Sequence, residues 1–388
     1  MKLVFRGEHV QLRPRPPGAR AIDGANHPDT LAQVFGAFEA GAEIALLNTR
    51  LTGAERQAQL ALLDGHPAGA GPATLLFTSG TTGAPKAAVL APQNHEASAR
   101  AANEVLGIDA SARFVCTLPL FHVGGLSIAF RCARAGATLL LHERFEAQAV
   151  ADALREGATH VSLVATTLAR LLEAGEKFPP ALAIVGGGPA PAPLLEKARR
   201  AGLRVVHTWG MTETASMATC ERAGDADGAT AGRPLPGFEV RLAAGEIEVR
   251  GPAVMRGYLG HAPVSGWLRT GDLGDIDARG RLTVHARRSD LIVSGGENVY
   301  PAEVEAALLQ HPCVREAAVL PAADATWGQV GVAFVITTAA ESELREFLLE
   351  RLARYKIPAR FVSLPELPRN AAGKVDRLKL MRTFPAAP

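Results

Sequence analysis

Apolar runs alternate with amphipathic segments through the first half of the chain, and this alternation constrains the fold more than any other feature. The apolar runs have the length of buried strands and lie at 73–78, 112–120, 137–143, 159–166, 181–188 and 203–210. Segments with helical periodicity lie between them at 95–107, 147–157, 167–175 and 191–202. Strands that alternate with such helices predict βαβ units and a sheet with helices on both faces, which is an α/β fold.

The pattern changes near residue 233. Segments 245–260 and 266–290 contain short β-rich runs, many glycines and few helical patterns, which predicts a small β-rich module. A mixture of helices and strands resumes after Asp290. We therefore predict a large N-terminal domain at 1–288, with helix-flanked sheets and the β-rich module, and a small α+β C-terminal domain at 289–388. The length of 388 residues fits two or three domains.

Composition excludes several classes of protein. Lys and Arg total 41 and Asp and Glu total 39, so the chain lacks the basic surplus of a nucleic-acid binder. A hydrophobic content of 47% is that of a globular protein. No apolar stretch approaches the roughly 18–20 residues of a membrane span, and the first residues lack a signal-peptide core. Four scattered cysteines argue against a disulfide framework or zinc site. We expect a cytoplasmic enzyme.

The strongest local motif is 76–86, LFTSGTTGAPK. An apolar strand runs into small hydroxylated residues and two glycines, and a lysine closes the loop. Glycines let backbone N–H groups approach an anion, hydroxyls donate hydrogen bonds, and lysine adds a positive charge. The motif therefore predicts a phosphate-binding loop, although its spacing differs from the Walker pattern. The alternative is a solvated surface loop.

A second motif, 205–215, ends a strand in a turn that presents Thr212 and Glu213. A carboxylate at a strand end beside phosphates suits Mg²⁺, which prefers one or two carboxylates together with phosphate oxygens and water. The alternative is an ordinary helix start, with Thr212 as the cap and Glu213 in the first turn.

Three further segments are weak signals alone and become informative only through their order along the chain. Segment 269–273, RTGDL, places Asp272 where it could accept hydrogen bonds from two sugar hydroxyls; alone it reads as a turn aspartate. Segment 287–305, RRSDLIVSGGENVYPAEVE, is followed by 368–377, PRNAAGKVDR, in which Lys374 lies in a glycine-bearing loop. Alone, Lys374 reads as an exposed lysine.

Together and in this order, the motifs closely resemble those of the adenylate-forming superfamily, which includes acyl-CoA synthetases, adenylation domains of peptide synthetases and luciferases. The resemblance covers roughly residues 30–380. It implies ATP, Mg²⁺ and coenzyme A as small-molecule partners, and a reaction in which a carboxylic acid first becomes an acyl-adenylate and then a thioester. It also implies that the C-terminal domain is mobile.

The resemblance implies roles for individual residues. Glu213 would bind Mg²⁺, Thr212 the α-phosphate, and Lys374 would stabilise charge that develops during adenylation. The implied contacts with the β- and γ-phosphates are Thr78, Ser79, Gly80, Thr81, Thr82, Gly83 and Lys86. The implied contacts with the nucleoside and the adjoining turn are Gly187, Gly188, Thr208, Trp209, Gly210, Met211, Asp272 and Arg287, the last two on the ribose. The implied hinge and thiol-tunnel residues are Ser289, Ser294, Gly295, Gly296 and Glu297.

Segment 118–131, LPLFHVGGLSIAFR, resembles the o-succinylbenzoate–CoA ligases of menaquinone biosynthesis, as do the segments around 139–166, 286–305 and 326–336. Such a dicarboxylate needs an apolar slot and a cation for the carboxylate that is not activated. Arg131 fits that task because its guanidinium matches a carboxylate. The other implied contacts with the acid are His122, Gly124, Ser127, Gly187 and Gly210. His122 would form a wall of the acyl site, and a surface salt bridge is the alternative for Arg131.

Other functions stay open at this point. The acid could be another aryl acid or a medium-chain fatty acid, and a non-catalytic nucleotide-binding homologue is the alternative from a different class. Such a homologue would lack Lys374, Glu213 or Asp272, and all three are present. An amino-acid adenylation domain would need an acidic pocket residue, which 121–130 does not contain. The oligomeric state is open, and a homo-oligomer is compatible with the sequence.

Overall fold

The chain folds into two compact units of mixed α and β structure. The computed structural model describes residues 1–51, 53–69, 71–79, 85–188, 190–222, 224, 226, 228–287, 290–294, 297–324, 327–352, 354–370 and 374–383; the side chains at 54, 79, 286, 287, 293, 297, 298 and 328 lie outside this description. The first unit comprises Met1–Arg241, Glu248–Thr270 and Ile276–Thr283, and the second Leu242–Ile247, Gly271–Asp275 and Val284–Pro388. The α/β class is confirmed. The domain boundary at 288/289 stays a prediction.

The α-helices of the described residues are α1 (Pro28–Glu39), α2 (Gly53–Asp64), α3 (Pro92–Leu106), α4 (Val123–Ala135), α5 (Ala147–Arg155), α6 (Ala165–Glu173), α7 (Ala192–Arg200), α8 (Pro301–Leu308), α9 (Glu341–Leu349) and α10 (Arg377–Thr383). None of them is long and apolar enough to cross a membrane.

The strands are β1 (Lys2–Phe5), β2 (Glu8–Val10), β3 (Ala21–Asp23), β4 (Glu43–Leu47), β5 (Ala73–Ser79), β6 (Pro85–Leu90), β7 (Arg113–Cys116), β8 (Thr138–Leu141), β9 (His160–Leu163), β10 (Leu182–Val185), β11 (Arg204–Met211), β12 (Ser216–Cys220), β13 (Arg233–Pro234), β14 (Glu239–Ala243), β15 (Glu246–Arg250), β16 (Gly257–Tyr258), β17 (Leu268–Ile276), β18 (Leu282–Arg287), β19 (Ile292–Ser294), β20 (Glu297–Val299), β21 (Val314–Asp324), β22 (Gly328–Thr337) and β23 (Arg360–Ser363).

A nine-stranded sheet dominates the first unit, in the order β13-β12-β11-β10-β9-β7-β8-β1-β2. Its central strands pair in parallel, as the alternation of strands and helices predicts. Helices α5, α6 and α7 bury apolar side chains such as Val150, Leu168 and Leu195 against it. In parallel sheets of this kind, ligands bind at the carboxyl ends of the strands.

A second sheet of the first unit, in the order β16-β6-β5-β4-β3, carries the predicted phosphate-binding loop. β5 and β6 are antiparallel, and Thr78 lies opposite Lys86 across the pair. Residues 80–84, between the two strands, lie outside the described part of the chain. The register therefore places a hydroxyl and an amine side by side at the base of this loop.

The second unit contains a sheet in the order β20-β19-β22-β21, with β23 parallel to β22. The long β21–β22 pair runs from Val314 opposite Thr337 to Asp324 opposite Gly328. One apolar cluster includes side chains of α8 and α9, and another includes Leu380 of α10. A further sheet has the order β14-β15-β17-β18, and the β-rich run predicted at 266–290 falls largely in its last two strands, β17 and β18.

Candidate active site

The turn that follows β11 is the structural centre of the site in the first unit. Thr212–Thr214 form a short 3-10 helix, and the next two residues have positive φ, 51° at Ala215 and 119° at Ser216. Neither residue is glycine, so this backbone is strained and is held by its surroundings. Thr214 Oγ1 donates to the Ser216 carbonyl at 2.7 Å, and Ser98 Oγ of α3 donates to the Ala215 carbonyl at 2.9 Å. These two hydrogen bonds hold the backbone of the turn and therefore orient the side chains of Glu213 and Ser216.

Glu213 projects from this turn into a buried position, with 7% of the residue exposed. Its Oε1 accepts a hydrogen bond of 2.5 Å from the hydroxyl of Tyr258, on β16. The amine of Lys86 lies 5.5 Å from the centre of the Tyr258 ring. The three side chains form one cluster, which brings together two residues predicted for phosphate and metal binding and adds a tyrosine.

The donor set around Glu213 fits a magnesium ion. A carboxylate has about four lone-pair positions and the tyrosine occupies one of them, so oxygen remains for a cation. Mg²⁺ commonly takes one or two protein carboxylates and completes its shell with phosphate oxygens and water. The predicted role of Glu213 is therefore compatible with its surroundings.

The predicted nucleoside residues lie at the carboxyl ends of two neighbouring parallel strands. Val185, the last residue of β10, pairs with His207 of β11, so 186–188 lie beside Thr208. A Cβ on Gly186 would lie 2.5 Å from Thr208 Oγ1, whereas one on Gly188 would meet nothing within 4 Å. The sheet edge is therefore closely packed at Gly186 and open at Gly188. The arrangement suits a flat ring laid against the backbone.

Gly210 lies where β11 approaches the strained turn. A Cβ at this position would lie 2.0 Å from the Ser216 carbonyl oxygen and 2.6 Å from Met217 Cα. Both contacts are backbone atoms, so only glycine fits. Trp209 before it is 8% exposed, and Met211 after it donates its N–H to Thr214 Oγ1 at 3.0 Å. Trp209, Gly210 and Met211 therefore pack against the turn at the end of β11.

Arg131 is the most unusual side chain of the first unit. It lies on α4 and is 1% exposed, and its Nη2 donates to Ser216 Oγ at 3.0 Å. Nε makes no hydrogen bond, and no acidic group pairs with it among the described residues. Burial lowers the pKa of Arg131 to about 10, so it is still charged at neutral pH. A buried charge without a partner is costly, which indicates that a ligand supplies the missing anion.

The start of α4 supplies the other predicted contacts with the acid. Ser127 Oγ donates to the Gly124 carbonyl and to Ser216 Oγ, each at 3.2 Å. His122 is the N-cap residue of α4, and its ring packs edge-on against Phe121 with centroids 4.7 Å apart. The expected role of His122 as a wall of the acyl site stays a prediction. Ser127, Arg131 and Ser216 therefore form a compact polar cluster next to Glu213.

Other predicted residues lie elsewhere in the chain. Asp272 is buried on β17, Ser294 ends β19 and Lys374 is exposed, all in the second unit. Residues 80–83, Ser289, Gly295 and Gly296 lie outside the described residues, as do the side chains of Ser79, Arg287 and Glu297. The convergence of Asp272 and Lys374 on the same nucleotide as Glu213 stays a prediction.

Two residues of the site were absent from the sequence-based set. Tyr258 was noted only within a β-rich run, and Ser216 lies just beyond the motif that ends at Ala215. Neither has a local signal, because their partners are distant in sequence: Tyr258 contacts a residue 45 positions away and Ser216 one 85 positions away. The turn of 212–216 is thus larger than the sequence motif.

Comparison with known proteins gives consistent results. The profile of the AMP-binding enzyme family matches residues 63–259, and that of the AMP-binding enzyme C-terminal domain matches 303–374. The 2-succinylbenzoate–CoA ligase of Bacillus velezensis is 40% identical, and the alignment covers 93% of this chain and 86% of the relative. The protein of the same name from Bacillus subtilis is 43% identical over 336 residues, covering 79% of this chain and 68% of the relative.

Solved structures agree. The o-succinylbenzoate–CoA synthetase of Bacillus subtilis in complex with its acyl-adenylate intermediate superimposes with a TM-score of 0.88 at 35% identity, covering 97% of this chain and 94% of the other. The same synthetase with ATP and a magnesium ion gives a TM-score of 0.87 at 35% identity, with 97% and 96% covered. On this identity, coverage and fold, the chain belongs to the AMP-binding enzyme family, alongside the 2-succinylbenzoate–CoA ligases.

Proposed function

We propose that this protein is an ATP-dependent, AMP-forming acid–CoA ligase that converts 2-succinylbenzoate to its CoA thioester in menaquinone biosynthesis. Relatives of 38–43% identity carry this activity in their names, and similar solved structures hold ATP with magnesium or the acyl-adenylate. ATP, the acid and coenzyme A are its small-molecule partners. We place the enzyme in the cytoplasm, where ATP and coenzyme A are available.

The observation that carries the choice of acid is Arg131. A buried guanidinium with one neutral hydrogen bond, next to the turn that bears Glu213, suits a substrate with a second carboxylate. A fatty acid would leave this charge buried and uncompensated, which is unfavourable. The proposed site thus holds one carboxylate of the substrate near Arg131 and Ser127 and leaves the other free to react.

In the first half-reaction, an oxygen of the free carboxylate attacks the α-phosphorus of ATP. A new O–P bond forms, the bond to the bridging oxygen breaks, and its electrons leave with pyrophosphate. Thr78 and Lys86 hold the outgoing phosphates, and Thr212 holds the α-phosphate. Glu213 would hold the magnesium ion, which would neutralise phosphate charge. Lys374 stabilises the charge that develops between the carboxylate and the α-phosphate.

In the second half-reaction, the sulfur of coenzyme A attacks the acyl carbon, AMP leaves with the electrons of the C–O bond, and the thiol proton passes to solvent. We assign residues 289–388 to a C-terminal domain that moves about Ser289 between the half-reactions. In this assignment, Lys374 serves adenylation and the segment from Ser294 to Glu297 serves thioester formation. Asp272 and Arg287 hold the ribose hydroxyls.

The function is tested by acid-dependent exchange of pyrophosphate into ATP, with a panel of 2-succinylbenzoate, aryl acids and fatty acids. We expect the strongest exchange with 2-succinylbenzoate, because it offers Arg131 a second carboxylate, which aryl monoacids and fatty acids lack. Strong exchange with octanoate and none with 2-succinylbenzoate would contradict the assignment of the acid while leaving the family intact.

Tyr258→Phe tests the metal role of Glu213. The change removes the hydroxyl that orients the carboxylate and keeps the ring beside Lys86. Loss of a hydrogen bond to a metal ligand typically weakens metal binding about 10–100-fold. We therefore expect the Mg²⁺ concentration for half-maximal exchange to rise about 10-fold. Tyr355→Phe, at a tyrosine that is 43% exposed, is the control and should leave the Mg²⁺ titration unchanged. A wild-type Mg²⁺ titration for Tyr258→Phe would refute the role.

A further inference from the structure

Residues 368–370 and 374–376 form two paired arms, here called together the lysine hairpin; residues 371–373 lie outside the described part of the chain. The N–H of Asn370 donates to the Lys374 carbonyl at 2.8 Å, and the N–H of Lys374 donates back to Asn370 Oδ1 at 3.1 Å. Arg369 and Val375 form a β-bridge, and the N–H of Asp376 donates to the Pro368 carbonyl at 2.7 Å. Residues 368–370 are therefore joined directly to residues 374–376.

An ion pair holds the exit of this hairpin to the sheet. Arg377, three residues after Lys374, donates from Nη2 to Glu305 Oε1 at 2.5 Å and from Nη1 to the Val319 carbonyl at 2.7 Å. The same Glu305 oxygen accepts the N–H of Val319 at 2.7 Å. Glu305 is 8% exposed, and the Arg377 side chain is 32% exposed. One acid and one base thus join α8, β21 and α10.

The position of Val319 explains what the Glu305–Arg377 pair binds on the sheet. Among the described residues, β21 is the last strand in the order of its sheet, so its outer edge has backbone groups that no further described strand pairs. Unpaired edge groups are satisfied in proteins by covering the edge. Here Glu305 and Arg377 take the N–H and the carbonyl of one residue, as a neighbouring strand would. Two charged side chains and two backbone groups therefore fix the orientation of the chain as it leaves the lysine hairpin.

We propose that Glu305 and Arg377 are positioning residues of the adenylation half-reaction, which act by fixing the base of the lysine hairpin so that the Lys374 amine is presented in one place. The proposal rests on the role assigned to Lys374 above. Electrostatic stabilisation by a fixed charge depends on its placement, and a displacement of about 1 Å can cost about 10²-fold in rate. Thioester formation does not use Lys374, so it does not need this contact.

The test compares Arg377→Met and Glu305→Gln with wild type in the two half-reactions measured separately. We expect the rate of adenylation, followed by pyrophosphate release, to fall about 10–100-fold with little change in the KM for ATP. Thioester formation from synthetic acyl-adenylate should stay within about twofold, because a global defect would lower both rates. Arg377→Lys should recover part of the adenylation rate, since an ammonium can reach Glu305 without spanning both of its acceptors.

Glu303→Gln is the matched control. Glu303 lies on the same helix, α8, and forms an ion pair with Lys356 at 2.6 Å. This pair does not touch the lysine hairpin, so its loss removes a comparable interaction from the same unit. Adenylation by Glu303→Gln should stay close to wild type. If Arg377→Met fails to fold, Glu305→Gln decides the question, because its amide keeps the shape of the side chain and removes its charge.

A double variant separates this proposal from the role of Lys374. If the ion pair acts through Lys374, adding Arg377→Met to Lys374→Ala should lower the remaining adenylation no further. Full additivity of the two changes would overturn the proposal, and so would an equal loss in both half-reactions or wild-type adenylation by both single variants. Normal adenylation by Lys374→Ala alone would instead remove the role of the lysine and the proposal with it. Absence of exchange with every acid in the wild-type protein would point to failure of the proposed function itself.

Discussion

Lys374→Ala should lower the rate of adenylation by about 10²–10³, because the charge that develops between the carboxylate and the α-phosphate loses a fixed positive partner. Thioester formation from preformed acyl-adenylate should be largely retained, since that step is assigned to a different part of the C-terminal domain. The measurement is single-turnover kinetics of each half-reaction, with pyrophosphate release for the first and CoA-thioester for the second. Lys374 is exposed, so we expect its replacement by alanine to leave the fold intact and to act on the reaction alone.

Lys379→Ala is the control for this experiment. Lys379 lies five residues further on, is exposed on α10 and carries the same charge. Its removal changes the net charge of the second unit as much as removal of Lys374 does. It should leave both half-reactions at the wild-type rate. An equal fall of both half-reactions in Lys374→Ala would contradict the division of labour proposed here.

Arg131→Ala should raise the KM for 2-succinylbenzoate far more than the KM for ATP. Truncation of one partner of a buried charge pair costs about 2–5 kcal/mol, which corresponds to a factor of at least about 30 in affinity. The KM for ATP should stay within about twofold, because the guanidinium is not part of the proposed nucleotide site. The measurement is initial-rate kinetics of exchange with each substrate varied in turn, and equal effects on both would remove Arg131 from the acid pocket.

Two analogues of the substrate, each lacking one carboxyl group, sharpen this test. In 4-oxo-4-phenylbutanoate the ring carboxylate is absent, and in 2-butanoylbenzoate the chain carboxylate is absent. The analogue that reacts should bind weakly to the wild-type enzyme and lose little more in Arg131→Ala, since its contact with the guanidinium is already missing. Arg134→Ala is the control: Arg134 lies one turn further along α4, is exposed and pairs with Glu96 at the surface. It should change neither KM.

The elements best predicted from sequence are those fixed by local pattern. The apolar run 181–188 contains β10, at Leu182–Val185, and the helix expected at 95–107 is α3, which ends at Gly107 with φ of 68°. In both cases the signal is hydrophobic periodicity together with a glycine stop. The tertiary contacts of these elements agree with their local preferences, so a single sequence suffices to find them.

The N-terminal strands were not predicted, because nothing local marks them. Glu8–Val10 and Ala21–Asp23 form strands in a part of the chain rich in proline, arginine and glycine. Strand β1 joins the large sheet by pairing in parallel with β8, from Lys2 opposite Thr138 to Phe5 opposite Leu141. For β1 the partner lies more than a hundred residues away, whereas β2 pairs with β1 and β3 pairs with β4. Helix α1 begins at Pro28, and His27 caps it by accepting the N–H of Asp29 at 3.2 Å.

The residues of the candidate site also fall into two groups, those that the sequence identifies and those that only the structure reveals. Glu213, Lys86 and Arg131 lie in motifs that a family resemblance can identify, and the structure brings each of them next to an unanticipated hydroxyl or ring. Tyr258 and Ser216 supply those groups, and only the folded chain reveals them. Chemical type and motif order predict which residues take part, whereas the hydrogen bonds that orient them depend on long-range packing.

The strained turn has a consequence for how the two substrates communicate. Glu213 and Ser216 are three residues apart on one rigid segment, and they face the metal and the acid respectively in the proposed site. A shift of Ser216 toward a bound dicarboxylate therefore alters the backbone that carries Glu213, and the reverse holds for the metal. Thermodynamic linkage makes such coupling reciprocal, so each substrate tightens or loosens the other by the same factor. A change that moves the backbone of this turn should consequently alter the affinity for the acid and for magnesium–ATP together, whereas Arg131→Ala, which leaves the backbone in place, should affect the acid alone.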